Sequence, residues 1–87
     1  MTPPIFLLVF VTEEGPEVHP YRNEQARCQA LIDEALEAIG DNPPLSDHLA
    51  GCILDHNLPL TLRADAAELW IDEHVSKWQV YRRQITL

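Results

Sequence analysis

Read as a succession of apolar and polar positions, the chain falls into six segments. Ile5-Phe6-Leu7-Leu8-Val9-Phe10-Val11 is aliphatic and aromatic without interruption and ends in Thr12-Glu13-Glu14-Gly15-Pro16, a turn sequence. An unbroken run of this kind predicts a strand covered on both faces. Glu17-Val18-His19-Pro20-Tyr21-Arg22 resumes with alternation and predicts its hairpin mate. Pro20 sends that second strand to an edge, because its nitrogen has no hydrogen to give to a ladder.

After Asn23 the apolar period lengthens from two to about 3.6. Cys28, Leu31, Ile32, Ala35, Leu36 and Ile39 recur at steps of three and four and predict a helix over residues 24–39. Asn23 is its N-cap, Glu24 sits where the helix dipole favours negative charge, and Gly40 closes it. Asp41-Asn42-Pro43-Pro44 is a stiff connector, after which Ser46 caps a short second helix ending near His56-Asn57, with Leu49, Cys52 and Ile53 inward. Leu58-Pro59-Leu60 interrupts the chain again. Asp65-Ala66-Ala67-Glu68 resembles a capping box and predicts a third helix from there to about Ser76, with Leu69, Trp70, Ile71 and Val75 as its apolar side. Residues 78–87 return to aromatic and β-branched types, Val80, Tyr81, Ile85 and Thr86, and predict a last strand.

A strand buried on both faces wants a neighbour on each edge, so the first strand belongs in the centre. The predicted fold is a single α+β domain over residues 1–87, with a small three-stranded antiparallel sheet, the order β-β-α-α-α-β, and helices packed on one face.

Charge adds the main functional clue. All fourteen carboxylates lie between Glu13 and Glu73, where only three arginines oppose them, and the remaining bases, Lys77, Arg82 and Arg83, follow behind. Such a segment repels nucleic acid and anionic membranes and attracts basic protein surfaces. A 46% hydrophobic content is too high for an acidic disordered tail. The seven-residue apolar run falls far short of the roughly 20 residues of a spanning helix. No Lys or Arg precedes that run and no small-residue cleavage site follows it, so a cytoplasmic location is expected. Cys28 and Cys52 are then expected to remain thiols.

Asp33, Glu37 and Asp41 are spaced four apart, with Glu34 widening the row, so about 6 Å of helix rise separates successive carboxylates. That is the scale of phosphates along a nucleic-acid strand, and Glu13, Glu14, Glu17, Asp72 and Glu73 extend the set. The plain alternative is a solvated helix face serving solubility. His48, Cys52 and His56 also step by four and are of zinc-ligand type, but a structural zinc site wants four ligands, and Cys52 lies among inward apolar positions where a cysteine acts as a small hydrophobe. No cofactor or metal is therefore expected. No Gly-x-Ser-x-Gly and no phosphate loop occur, and Cys28 on the apolar stripe reads as a buried, inert thiol, so catalysis is not expected. Trp70, Trp78 and Tyr81 gather near the third helix and last strand, either as core or as interface anchors. Arg82 and Arg83 point to opposite faces of that strand, one toward an ion pair with the acidic helix row and one toward guarding the sheet edge.

Together these features predict a non-enzymatic binding protein that docks an acidic helical face on a basic surface of a nucleic-acid-handling protein and acts by occlusion. By analogy alone, such a domain is what a phage-encoded anti-host inhibitor of the anti-CRISPR or DNA-mimic kind would be. The alternative is a self-associating assembly subunit, in the simplest case a homodimer, that uses its aromatic end and sheet edge.

Overall fold

A computed structural model describes residues 3–40, 48–75 and 77–86 of the chain. Strand β1, Ile5–Thr12, pairs antiparallel with β2, Gly15–Tyr21, on one side and with β3, Gln79–Ile85, on the other. The three-stranded sheet therefore has the order β2-β1-β3. Between β2 and β3 come helices α1 (Glu24–Ile39), α2 (His48–Leu54) and α3 (Leu60–His74), so the order β-β-α-α-α-β and the α+β class hold.

The β1–β2 turn is two residues long, and its left-handed excursion falls on Gly15, at φ 114°. Thr12 secures it: its hydroxyl accepts from the Glu14 amide and donates to the Gly15 carbonyl, both at 3.2 Å. Pro16 and Pro20 lie in β2, which is an edge strand, where missing ladder donors cost least. In α1 the Asn23 side chain accepts from the Ala26 amide at 2.8 Å, and Gly40 at φ 75° ends the helix with its amide on the Leu36 carbonyl.

The core lies between the sheet and the helices. Leu8 and Phe10 project from β1 onto Cys28, Leu31, Ile32 and Ala35 of α1 and Trp70 and Ile71 of α3, all buried. Ala64 and Ala67 are fully buried on α3, and their small side chains let α1 and α2 approach it closely. Two arginines are buried with them. Arg63 donates from Nε to the Ile53 carbonyl at 2.9 Å, satisfying one of the carbonyls left open at the end of α2. Arg27 donates from Nη1 to the Arg83 carbonyl at 2.8 Å and lies 5.1 Å from the centre of the Phe6 ring, so it ties α1 to the far end of the sheet.

Three expectations need correction. First, α3 begins at Leu60, not at Asp65. Pro59, at φ −57° and ψ 146°, fits just before a first helical turn, and no breaker stands between Leu60 and Ala64. Burial of Arg63 and Ala64 recruits that turn into the helix. Asp65 and Glu68 therefore lie inside α3 and, instead of capping it, hold Arg82 of β3 at 2.6 and 3.2 Å. Their place in α3 also means that Arg82 pairs with this helix and not with the acidic row of α1. Leu69, expected inward, is 53% exposed. Second, α2 ends at Leu54, because Asp55 turns the chain: its side chain accepts from the Asn57 amide at 2.9 Å and its carbonyl from Leu58 at 3.1 Å. Its expected cap, Ser46, lies outside the described residues. Third, β1 is covered on one face only. Ile5, Leu7, Val9 and Val11 alternate with the buried Leu8 and Phe10 and are half-buried, since the helices all lie on the other side.

Candidate functional site

The apolar stripe of α1 fixes where its carboxylates go. With Cys28, Leu31, Ile32 and Ala35 turned into the core, Asp33 and Glu37 are exposed and Glu34 is half-buried at the margin. Gln29 donates from Nε2 to Asp33 Oδ1 at 2.8 Å, one helical turn away. Glu34 and Glu37 stand on the rim of a groove of about 280 Å³ whose other walls are Ala38, Ile71, Val75 and Trp78. Asp41 lies outside the described residues.

The hairpin supplies a second group. Glu13 and Glu14 form its turn, and Glu17 sits opposite Phe10 in the β1–β2 register, on the helix side of the sheet. These three, with Thr12, Lys77 and Trp78, line a neighbouring groove of about 570 Å³. Trp78 belongs to both grooves, resting against Phe10 with ring centres 5.8 Å apart. It forms the apolar ridge between a pair of helical carboxylates and a trio from the hairpin. The two groups are electrostatically in touch: burial raises the Glu34 carboxyl above the ordinary range first, and the charges of Glu37 and Glu17 raise it further, with His19 opposing.

Little positive charge offsets this surface among the described residues. Lys77 pairs with Glu13 at 2.5 Å, but both groups are exposed and such a pair is worth little. Lys77 itself is left-handed, at φ 69°, in the tight link from α3 to β3. His19 lies 3.8 Å from Glu17. Arg27, Arg63 and Arg82 are committed elsewhere, to Arg83 and Glu24, to Ile53, and to Asp65 with Glu68.

The remaining members of the predicted set do not all join in. Asp72 lines a separate groove against β3, with Glu68, Leu69, Gln79, Val80 and Tyr81. Glu73 is exposed in the last turn of α3. Sequence reasoning did not foresee that Trp78 would stand between the two acidic groups, because nothing in the order of residues tells that the link into β3 lies beside the hairpin turn. Of the other aromatics, Trp70 is buried and stacks on His74 at 4.6 Å, and Tyr81 lies on the outward face of the sheet.

The histidine and cysteine positions are laid out plainly. Cys52 Sγ and His48 Nε2 are 3.8 Å apart on α2, whereas His56 follows that helix; no group of three or more metal-ligating side chains forms among the described residues. Cys28 is fully buried, and burial foremost pushes its thiol upward, away from the reactive thiolate. Among the described residues no helix is long and apolar enough to cross a membrane. The chain matches no family model, no curated protein and no solved structure.

Proposed function

We propose that this domain is a non-enzymatic docking protein whose acidic surface around Trp78 covers a basic surface on a larger protein that handles nucleic acid. The observation that carries this reading is the convergence of Glu13, Glu14 and Glu17 from the hairpin with Glu34 and Glu37 from α1 on either side of one half-buried tryptophan. Carboxylates that converge from two elements present a negative field that a groove lined with Lys and Arg would attract. Trp78 adds an apolar anchor of the type enriched at interface hot spots. Asp33 extends the helical side of the surface, while Asp72 and Glu73 contribute only to the overall negative field.

The mechanism proposed is occlusion: the bound domain occupies the surface that nucleic acid would take. A phage-encoded anti-host inhibitor of the DNA-mimic or anti-CRISPR kind would work in this way, by analogy alone. Binding partners retained at low salt are the material for the test. On the captured partner, Glu34→Lys with Glu37→Lys slows association and flattens the salt dependence, and the wild-type domain displaces a DNA or RNA probe. A complex indifferent to both salt and that charge reversal refutes the reading. A Trp78→Ala variant that binds as well as wild type removes the anchor.

A further inference from the structure

The outward face of the sheet carries no carboxylate. Since Leu8 and Phe10 point to the helices, the alternate positions of all three strands point away, and the register sets Leu7 and Val9 of β1 beside Val18 of β2 and Tyr81 and Arg83 of β3. Val18 is 55% exposed and Ile85, at the end of β3, 42%. The single charged group on this face, Arg83, lies 5.1 Å over the Tyr81 ring, so its stem and its partner continue the apolar surface. An exposed apolar patch of this kind is often an interaction site.

We propose that two copies of this domain pair through the outward sheet face, sheet on sheet, into a symmetric dimer with both acidic surfaces turned to solvent. Charge selects the occupant. Each copy has a formal net charge of −8, and approach through any carboxylate-bearing side sets like charges together, whereas this face has no carboxylate and its one charge, Arg83, stands on the edge strand β3, where its head can stay in water while its stem packs. A lipid surface has little to hold, because one arginine stands against that net charge. Shape agrees: the domain measures only 16 Å along its shortest axis, one sheet and one helical layer, and a second sheet at about 10 Å would complete a sandwich. Area is sufficient but modest. Three seven- to eight-residue strands span roughly 24 Å by 14 Å, which in accessible surface is on the order of 500 Å² per copy and 1,000 Å² in all. That is the lower bound for a specific interface, so a reversible dimer is expected and not an obligate one. The inference is independent of the docking reading, since its residues lie on the opposite side of the sheet from Glu34 and Glu37.

The test is sedimentation equilibrium of the whole chain from micromolar to millimolar concentration, at low and high ionic strength, on wild type, Val18→Lys and Ile85→Lys. Lysine lowers the net negative charge of the chain, and Val18→Thr and Ile85→Thr, which add no charge beside Arg83 and should also weaken pairing, separate lost apolar contact from local repulsion. Wild type should show a monomer–dimer equilibrium that tightens with salt, and each lysine variant should raise the dissociation constant roughly tenfold or more while far-UV circular dichroism is unchanged. Ile85 is near the end of its strand, so it reports even if the Val18 variant fails to fold. A monomer throughout the range overturns the proposal, as does a dimer that survives both lysines but is lost with Val80→Pro, which would place the contact at the β3 edge. A monomer that floats with phosphatidylcholine vesicles would give the face to lipid and overturn it too.

Discussion

Arg82 is the side chain through which α3 and β3 are joined by charge, and its removal has a calculable cost. Its Nη2 lies 2.6 Å from Asp65 and 3.2 Å from Glu68, one turn apart on α3, and its side chain is only 22% exposed. Arg82→Met keeps the apolar stem and deletes the charge. Two charge-assisted hydrogen bonds would be worth about 3 to 6 kcal/mol if fully shielded. The carboxylates are 53% and 31% exposed, however, so water and salt screen the pair, and a net loss of about 1–2 kcal/mol is expected. At this chain length that lowers the melting temperature by roughly 5–15 °C. Urea titration followed by circular dichroism measures it, and a double-mutant cycle with Glu68→Gln isolates the pairwise part, expected at about 0.5–1 kcal/mol and smaller in high salt. The cycle also separates this placement from a capping box. If Asp65 and Glu68 capped α3, their replacement by alanine would cost the same whether residue 82 is Arg or Met, and zero coupling would refute the clamp.

Other positions give further expected outcomes. Arg63→Ala strands the Ile53 carbonyl in a buried site and should cost about 1–3 kcal/mol in the same titration. Gly40 holds φ 75° and ψ −162°, a region open essentially to glycine alone, so Gly40→Ala should cost about 1–3 kcal/mol although nothing lies within 4 Å of the added methyl. Glu34 has its carboxyl raised by burial and by Glu37 and Glu17, so the folded state binds its proton more tightly than the unfolded chain does. Stability is then lost as pH rises from the ordinary glutamate range through the raised value. Glu34→Gln should be more stable than wild type at neutral pH, with the gain gone below the ordinary range, as read from thermal melts across pH. A gain that persists unchanged in acid would contradict that origin.

What could be read from residue order was mostly what has a local cause, although the Asp55 turn that ends α2 at Leu54 is local too and was not foreseen. The apolar period of α1 fixed which side chains enter the core, and its two ends followed from Asn23 and Gly40, whose cap bonds close within a turn of the helix. Pro20 marked β2 as an edge, and the lone aliphatic run marked β1 as the centre, so strand order was legible before any contact was known. The acidic character of the candidate surface was likewise a property of composition.

Tertiary structure decided the rest, because it depends on groups far apart in sequence. Asp65 and Glu68 match a cap motif, and only burial of Arg63 and Ala64 together with the arrival of Arg82 across the domain places them inside a helix that starts at Leu60. The unbroken run of β1 promised cover on both faces, but three helices in one layer can cover only one, and that left the outward face open. The grouping of the carboxylates was decided in the same way. Sequence spacing sets Glu34 beside Glu37, but Glu17 joins them, and Asp72 does not, only because the hairpin folds back beside α1 while that part of α3 faces β3.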